Sequence, residues 1–459
     1  MDKFKIVLSD LHMGAGYARE GNALEDFTSG AAFRALLAGI AAESERKGKE
    51  VELVFAGDTF EFPQVPCLDS AEEFVPTFTY PVGLYLSSSE GASVRKMALI
   101  IAGHPDFFAA LQGFLRVAPP RRTVTFVKGN HDVDLHWRGV QEMLAWAVGA
   151  EGERRDCLSF VERRVAREGI YVEHGNQYAD WPSRFPDFEE PHDPDVPDQL
   201  YLPVGSRFII NFFNEVERER YWMDGVKPIP ALIWYTFALD FSFGLCMLMV
   251  LLQAMPAIVW GETPVDMAAK RITPQAIRDL LERLQDDVYL QSLQRDARER
   301  QRLCLELVDL FASYSFSPAE RTIPSAGFSR RLALRRGRAE ERAHRSALYR
   351  MAEQKRLQER ARIIIFGHTH APCVKSLSHD GIYINTGTWT WGEDFTGRSY
   401  ADWERLMEHP ERYTHERHLT YARIDYDESG KPSVELRSFD HGATRKGLGQ
   451  RLSDWWQQR

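Results

Sequence analysis

Cysteine is scarce and scattered: Cys67, Cys157, Cys246, Cys304 and Cys373 are odd in number and none stands in a CxxC pair. That pattern excludes a disulfide framework and fits a reducing compartment. The opening MDKFKIVLSD lacks a long apolar core and a small-residue cleavage site, so it reads as a first strand and not as a signal peptide. The expected location is cytoplasmic. There is no basic excess either. The net charge of -9 argues against a general nucleic-acid binder. It leaves room for a small anionic substrate, because a metal site brings its own positive charge. No internal repeat is present.

What is present is a long, ordered chain. Its 459 residues exceed one ordinary domain, so a core with a large insertion or a second domain is expected. With 44% apolar and 27% charged residues, it has the composition of a folded protein. Short apolar runs of strand length, rich in β-branched or aromatic residues, lie at Phe4–Leu8, Val51–Ala56, Val124–Val127, Ile170–Val172 and Ile363–Phe366. Further strands are expected at Ile382–Asn385, Tyr421–Tyr426 and Ser433–Phe439. Between the first runs, Gly30–Glu45 sets Phe33, Leu36, Leu37 and Ile40 on one helical face. Strands alternating with helices predict a layered α/β fold. Residues 181–360 differ: a Pro/Asp-rich loop, an apolar segment at Ile229–Trp260, helical periodicity over 277–313, and a basic stretch at 329–362. The organisation predicted is a core in two parts, 1–180 and 361–459, interrupted by a helical insertion or cap over 181–360.

Metal-ligand residue types recur where the strands end. Asp10-Leu-His12 follows the first, Gly57-Asp58 the second, Gly129-Asn130-His131-Asp132 the third, Glu173-His174-Gly175 the fourth and Gly367-His368-Thr369-His370 the fifth. In layered α/β folds, ligands gather beyond the strand ends, where loops converge. Each piece alone has a plainer reading. An isolated DxH means little, a lone histidine is more often a cap or a surface residue, and GNHD could be a turn. All five in order are hard to obtain by chance. Imidazole and carboxylate ligands without cysteine suit manganese, iron or zinc. An aspartate shared by two such ions, roughly 3.5–4 Å apart, would let them clamp a phosphoryl group and activate a water.

This order resembles the calcineurin-like metallophosphoesterase family, over residues 1–180 and 361–390. The resemblance implies a four-layer core of two packed mixed β-sheets flanked by helices, and two divalent metal ions, manganese first, with iron and zinc as alternatives. Asp10, His12, Asp58 and His370 would hold one ion, and Asp58, Asn130, His174 and His368 the other. His131 would protonate the leaving group or stabilise the phosphoryl oxygens, with Asp132 orienting it. Gly-Asp58-Thr-Phe-Glu61 resembles the GDxFE turn of bacterial UDP-diacylglucosamine pyrophosphohydrolases. HGNQY at 174–178 and YLPVGSR at 201–207 look like a related bacterial group with a helical insertion. Those hydrolases usually have arginine where this chain has His131, and Asp180 is offset by one residue from that group's pattern.

The twenty residues Phe241–Trp260 carry no formal charge, enough for one membrane crossing. One crossing would part His368 and His370 from Asp10 and His174, and the 32 residues Ile229–Trp260 are too few for two. Two readings remain. One is a helix pair buried in the cap or in a homodimer interface. The other is a monotopic patch, with Trp234, Tyr235 and Trp260 at the headgroup level and the basic stretch at 329–362 attracting anionic lipid. That second reading would place the protein on the inner face of the membrane. The expected activity is hydrolysis of a phosphate ester or pyrophosphate in a phosphorylated small-molecule or lipid substrate. The alternatives are a phosphodiesterase or phosphatase acting on nucleotides or phosphoproteins, a nuclease, and a non-catalytic metal-binding adaptor.

Overall fold

Every short apolar run read as a strand from the sequence forms one. The computed structural model describes residues 2–116, 119–179, 181–259, most of 279–306, 347–414 and 419–439. One six-stranded mixed sheet contains β1 (Lys3–Leu8), β2 (Glu50–Ala56), β3 (Arg122–Val127) and β4 (Leu158–Val161), all parallel. A five-stranded mixed sheet contains β5 (Arg164–Arg167), β6 (Ile170–Glu173), β8 (Ile363–Phe366), β9 (Cys373–Leu377) and β10 (Gly381–Asn385), of which β6, β8 and β10 run parallel. The short strands β7 (Val226–Lys227) and β11 (Glu393–Asp394) pair with each other, and the chain returns to the first sheet with β12 (Thr420–Tyr426) and β13 (Pro432–Ser438), antiparallel additions beside β1. The fold is mixed α/β.

Alternation along the strands decides what each face meets. Val7, Val54, Ala56 and Val127 of the first sheet share one buried cluster with Val172, Ile363, Ile365 and Ile384 of the second. The intervening residues Ile6, Leu8, Phe55 and Phe126 turn the other way. They pack with the helices Gly30–Lys47, Glu90–Gly103, Pro105–Arg116 and Arg138–Ala147. Phe55 stacks on Phe126 at 4.7 Å between ring centroids. A side chain of that size buried completely is worth about 1.5–3 kcal/mol. On the second sheet, Tyr171, Ile364 and Phe366 pack with Leu348 and Ala352. These belong to a helix over 347–359, assigned by sequence to the insertion; its packing makes it part of the core.

The apolar segment forms two helices, Ile229–Leu239 and Phe241–Val259. Leu232, Tyr235 and Met247 pack with Trp391, Phe395 and Trp403, so residues after the fifth motif complete the insertion's own core. Phe237, Leu248 and Leu252 meet Leu280, Leu284 and Leu293. Among the described residues of this pair, those facing out are Ala238, Ser242, Cys246 and Gln253, a helical stripe free of large apolar side chains. No single helix among the described residues is long and apolar enough to cross a membrane. Trp260, Asp180 and most of the basic stretch lie outside the described residues.

Candidate metal centre

The five motif turns all leave the C-terminal ends of parallel strands, β1, β2 and β3 side by side in one sheet and β6 and β8 side by side in the other. Pairing continues into the turns. Asp10 N–H donates to Gly57 O at 3.1 Å, His12 N–H to Asp58 O at 3.0 Å, and Gly367 N–H to His174 O at 2.9 Å. The two sheets are tied across the site where His368 N–H donates to Asp10 Oδ1 at 3.0 Å. The backbone is strained here. Asp10, His12, Asp58, His368 and His370 have φ of 55°, 49°, 50°, 68° and 57°. Such left-handed conformations cost a non-glycine residue on the order of 1–3 kcal/mol. Two glycines are needed for close approach: a Cβ on Gly129 would strike the Asp58 carboxylate, and one on Gly367 the Asp10 carboxylate.

The structure gathers the predicted ligands into two groups that could hold metal, Asp10 with His12 and His370, and Asp58 with His174 and His368. In the first, His370 Nε2 lies 3.4 Å from Asp10 Oδ1 and 3.0 Å from His12 Nε2. In the second, His174 Nε2 lies 2.9 Å from Asp58 Oδ2. The same Asp58 oxygen is 4.0 Å from His12 Nε2, so this carboxylate stands between the groups. Asn130 is buried one residue beyond Gly129, and its Oδ1 has no hydrogen-bond partner.

Orientation of these side chains is fixed from behind. His174 Nδ1–H donates to Ala56 O at 3.0 Å, which leaves Nε2 as the free nitrogen. In the neutral ring that nitrogen is an acceptor facing a carboxylate, and it has no hydrogen-bond donor of its own. Two acceptors at this distance require a cation or a proton between them. A metal ion fits that arrangement, as it fits the buried Asn130 oxygen. Burial works against charge on His174, yet Asp58 raises its pKa to about 9. His12 is likewise buried and is raised well above the ordinary histidine value by Asp10, Glu61 and Asp58. His370 goes the other way, pushed well down by burial and then by Lys227 and His12. Asp58, despite burial, is held far below the usual carboxylate range by His174, His131 and His12.

Glu61 has a role that the sequence did not assign. Its Oε2 meets His12 Nδ1 at 2.5 Å, and the carboxylate also meets His131 Nδ1 at 2.7 Å. One acid therefore sets the tilt of both rings and leaves each Nε2 turned outward. The available signal was a carboxylate three residues after Asp58 in the same turn. Asp132 corrects the expectation that it orients His131. Its carboxylate accepts Gly129 N–H at 2.6 Å and Thr59 N–H at 2.7 Å, which joins the second turn to the third. Burial and the nearby Asp58 raise Asp132 to about 7. The insertion also reaches the site. Burial, then repulsion from Asp224, pushes up Glu217 and Asp26, the latter a core residue, and burial pushes up Asp224 although Asp26 hydrogen-bonds to it; the neutral forms are favoured.

Comparison with models of known protein families finds no match, and comparison with curated proteins finds none.

Proposed function

We propose that this chain is a metal-dependent phosphoesterase with a four-layer metallophosphoesterase core. It would hydrolyse a phosphate ester or pyrophosphate bond at a two-ion centre formed by Asp10, His12, Asp58, Asn130, His174, His368 and His370. The observation that carries the reading is the position of Asp58, with one carboxylate oxygen 2.9 Å from His174 and 4.0 Å from His12. A shared carboxylate between two ligand groups is what a dinuclear site needs. Bound there, a pair of divalent ions would neutralise phosphoryl charge and supply a hydroxide at neutral pH. Manganese, iron and zinc all accept this ligand set.

The chain's own residues do the rest. Glu61 holds His131 by Nδ1, so its Nε2 is the nitrogen free to meet a phosphoryl oxygen or protonate the leaving oxygen. Asp132 holds the turns bearing Asp58 and Asn130 together, which preserves the spacing of the two groups. The insertion forms a wall beside the site, where Ser206 and Ile210 line a pocket with Asn130 and His131. Selection among substrates is assigned to that wall, because the ligand turns are common to any substrate. The test is hydrolysis of bis-p-nitrophenyl phosphate, p-nitrophenyl phosphate, UDP-diacylglucosamine and a cyclic nucleotide with added Mn²⁺, for the wild type and Asp58→Asn. Metal-dependent turnover of a panel member that Asp58→Asn abolishes supports the reading. A protein that binds no metal refutes it.

A further inference from the structure

Beyond the buried centre, a second His/Glu cluster lies where the loop over 184–201 meets the core. His136 ends the short 3₁₀ turn Val133–His136, and Glu190 and His192 come from the loop. One ligand atom from each lies within 4.8 Å of the others. Glu190 Oε2 is 3.9 Å from His136 Nε2 and 3.9 Å from His192 Nε2. Those separations are too long for hydrogen bonds. They are close to the edge of a tetrahedron around one ion, about 3.4 Å for bonds of roughly 2.0–2.1 Å. The two rings stand at 86° with centroids 5.1 Å apart, so they approach a common point from different directions. His192 Nδ1 is buried without a hydrogen-bond partner.

The surroundings resemble the support of a metal site. Behind His136, its Nδ1 meets Glu162 Oε2 at 3.3 Å, and that oxygen also accepts from Lys128 Nζ at 2.6 Å. A carboxylate behind a ligating imidazole fixes its tautomer and raises its basicity. The loop itself is anchored by Phe185, Phe188 and Leu200 packed against Val133, and by a bridge from His192 to Leu200. Its backbone is thus held while Glu190 remains mostly exposed, at 72% of its side chain. We propose that His136, Glu190 and His192 form a mononuclear site for a divalent transition ion of the zinc class, with water as fourth ligand. The ion pins the loop to the turn that follows His131 and Asp132. This site does not depend on the phosphoesterase reading.

The test is a zinc titration of the metal-stripped full chain against a chromophoric chelator, for the wild type, His192→Ala, Glu190→Gln and Asp58→Asn. His192→Ala should bind one ion fewer per chain than the wild type. Glu190→Gln should weaken that ion by about 10-fold or more. Asp58→Asn should keep the ion that His192→Ala loses, which separates the two sites. Zinc should slow proteolysis within the loop in the wild type and in Asp58→Asn, and not in His192→Ala. If His192→Ala and Glu190→Gln bind as many zinc ions as the wild type with the same affinities, the proposal is overturned.

Discussion

The turns after β1, β2 and β8 hold Asp10, His12, Asp58, His368 and His370 at positive φ. Among the described residues from 176 to 359 no residue, glycine included, has a positive φ. Both regions are well packed, so packing does not explain the contrast. Strain persists only where surrounding structure over-determines it, and such places are enriched in functional side chains. In the turns, a cross-sheet hydrogen bond to Asp10 and bonds from the neighbouring turns to Asp58 supply that over-determination. In the insertion, helices settle on apolar faces, as Tyr235 does against Trp403 at 4.5 Å. The difference fits the division of labour proposed above: chemistry in the strained turns, shape and substrate selection in the helices of the insertion.

That division fails if substitutions in the two regions have similar consequences. The largest effect is expected for Asp58→Asn, which should weaken both ions and lower metal-dependent hydrolysis by more than about 100-fold, beyond the loss of a mere supporting partner. Metal content and turnover measured on the same preparation check it. His131→Ala should lose about 10²–10⁴-fold in turnover with its metal content intact; loss of metal would show that His131 is a ligand. Glu61→Gln, which keeps shape but weakens the grip on both rings, should cost about 10–100-fold, with KM nearly unchanged. Trp403→Ala lies in the insertion's core and should cost about 3–5 kcal/mol of stability, read by urea unfolding, while metal binding stays as in the wild type.

The smallest effect concerns acid. Glu168 has φ of 56° in the turn between β5 and β6, and there it meets Lys3 and Lys5. Burial would raise its pKa, but the two lysines lower it from 4.5 to about 2. A carboxylate depressed in the folded state stabilises fully above its unfolded pKa, and that contribution fades as pH falls from 4.5 towards about 2. Glu168→Gln should therefore lower the unfolding midpoint at pH 7 by a small amount and flatten the dependence on pH in that window. Equal midpoints for the two proteins at pH 7 would contradict this.

Much of the core was legible because strand ends and ligands share one sequence signature, an apolar run stopped by glycine and a polar ligand. Val124–Val127 followed by Gly129-Asn130 is such a case, and the strand extends only to Arg122 on its far side. The strands β4, β5 and β9 left little trace. Arg164–Arg167 carries one buried residue, Val165, so it has no apolar run to detect. The roles of Glu61 and Asp132 were not legible either. Both are acids near a histidine, and only the path of the turn shows that Glu61 faces rings while Asp132 faces backbone N–H groups. The boundary at 360 misplaced the helix over 347–359 because its charged outer face is part of the basic stretch at 329–362. Its buried residues, Leu348 and Ala352, are few.

The most direct test of the central claim is anomalous diffraction from crystals grown with Mn²⁺. Two manganese peaks are expected on either side of the Asp58 carboxylate, roughly 3.5–4 Å apart, one against Asp10, His12 and His370 and the other against Asn130, His174 and His368. A single peak, or none between these residues in crystals that hold manganese elsewhere, would contradict it.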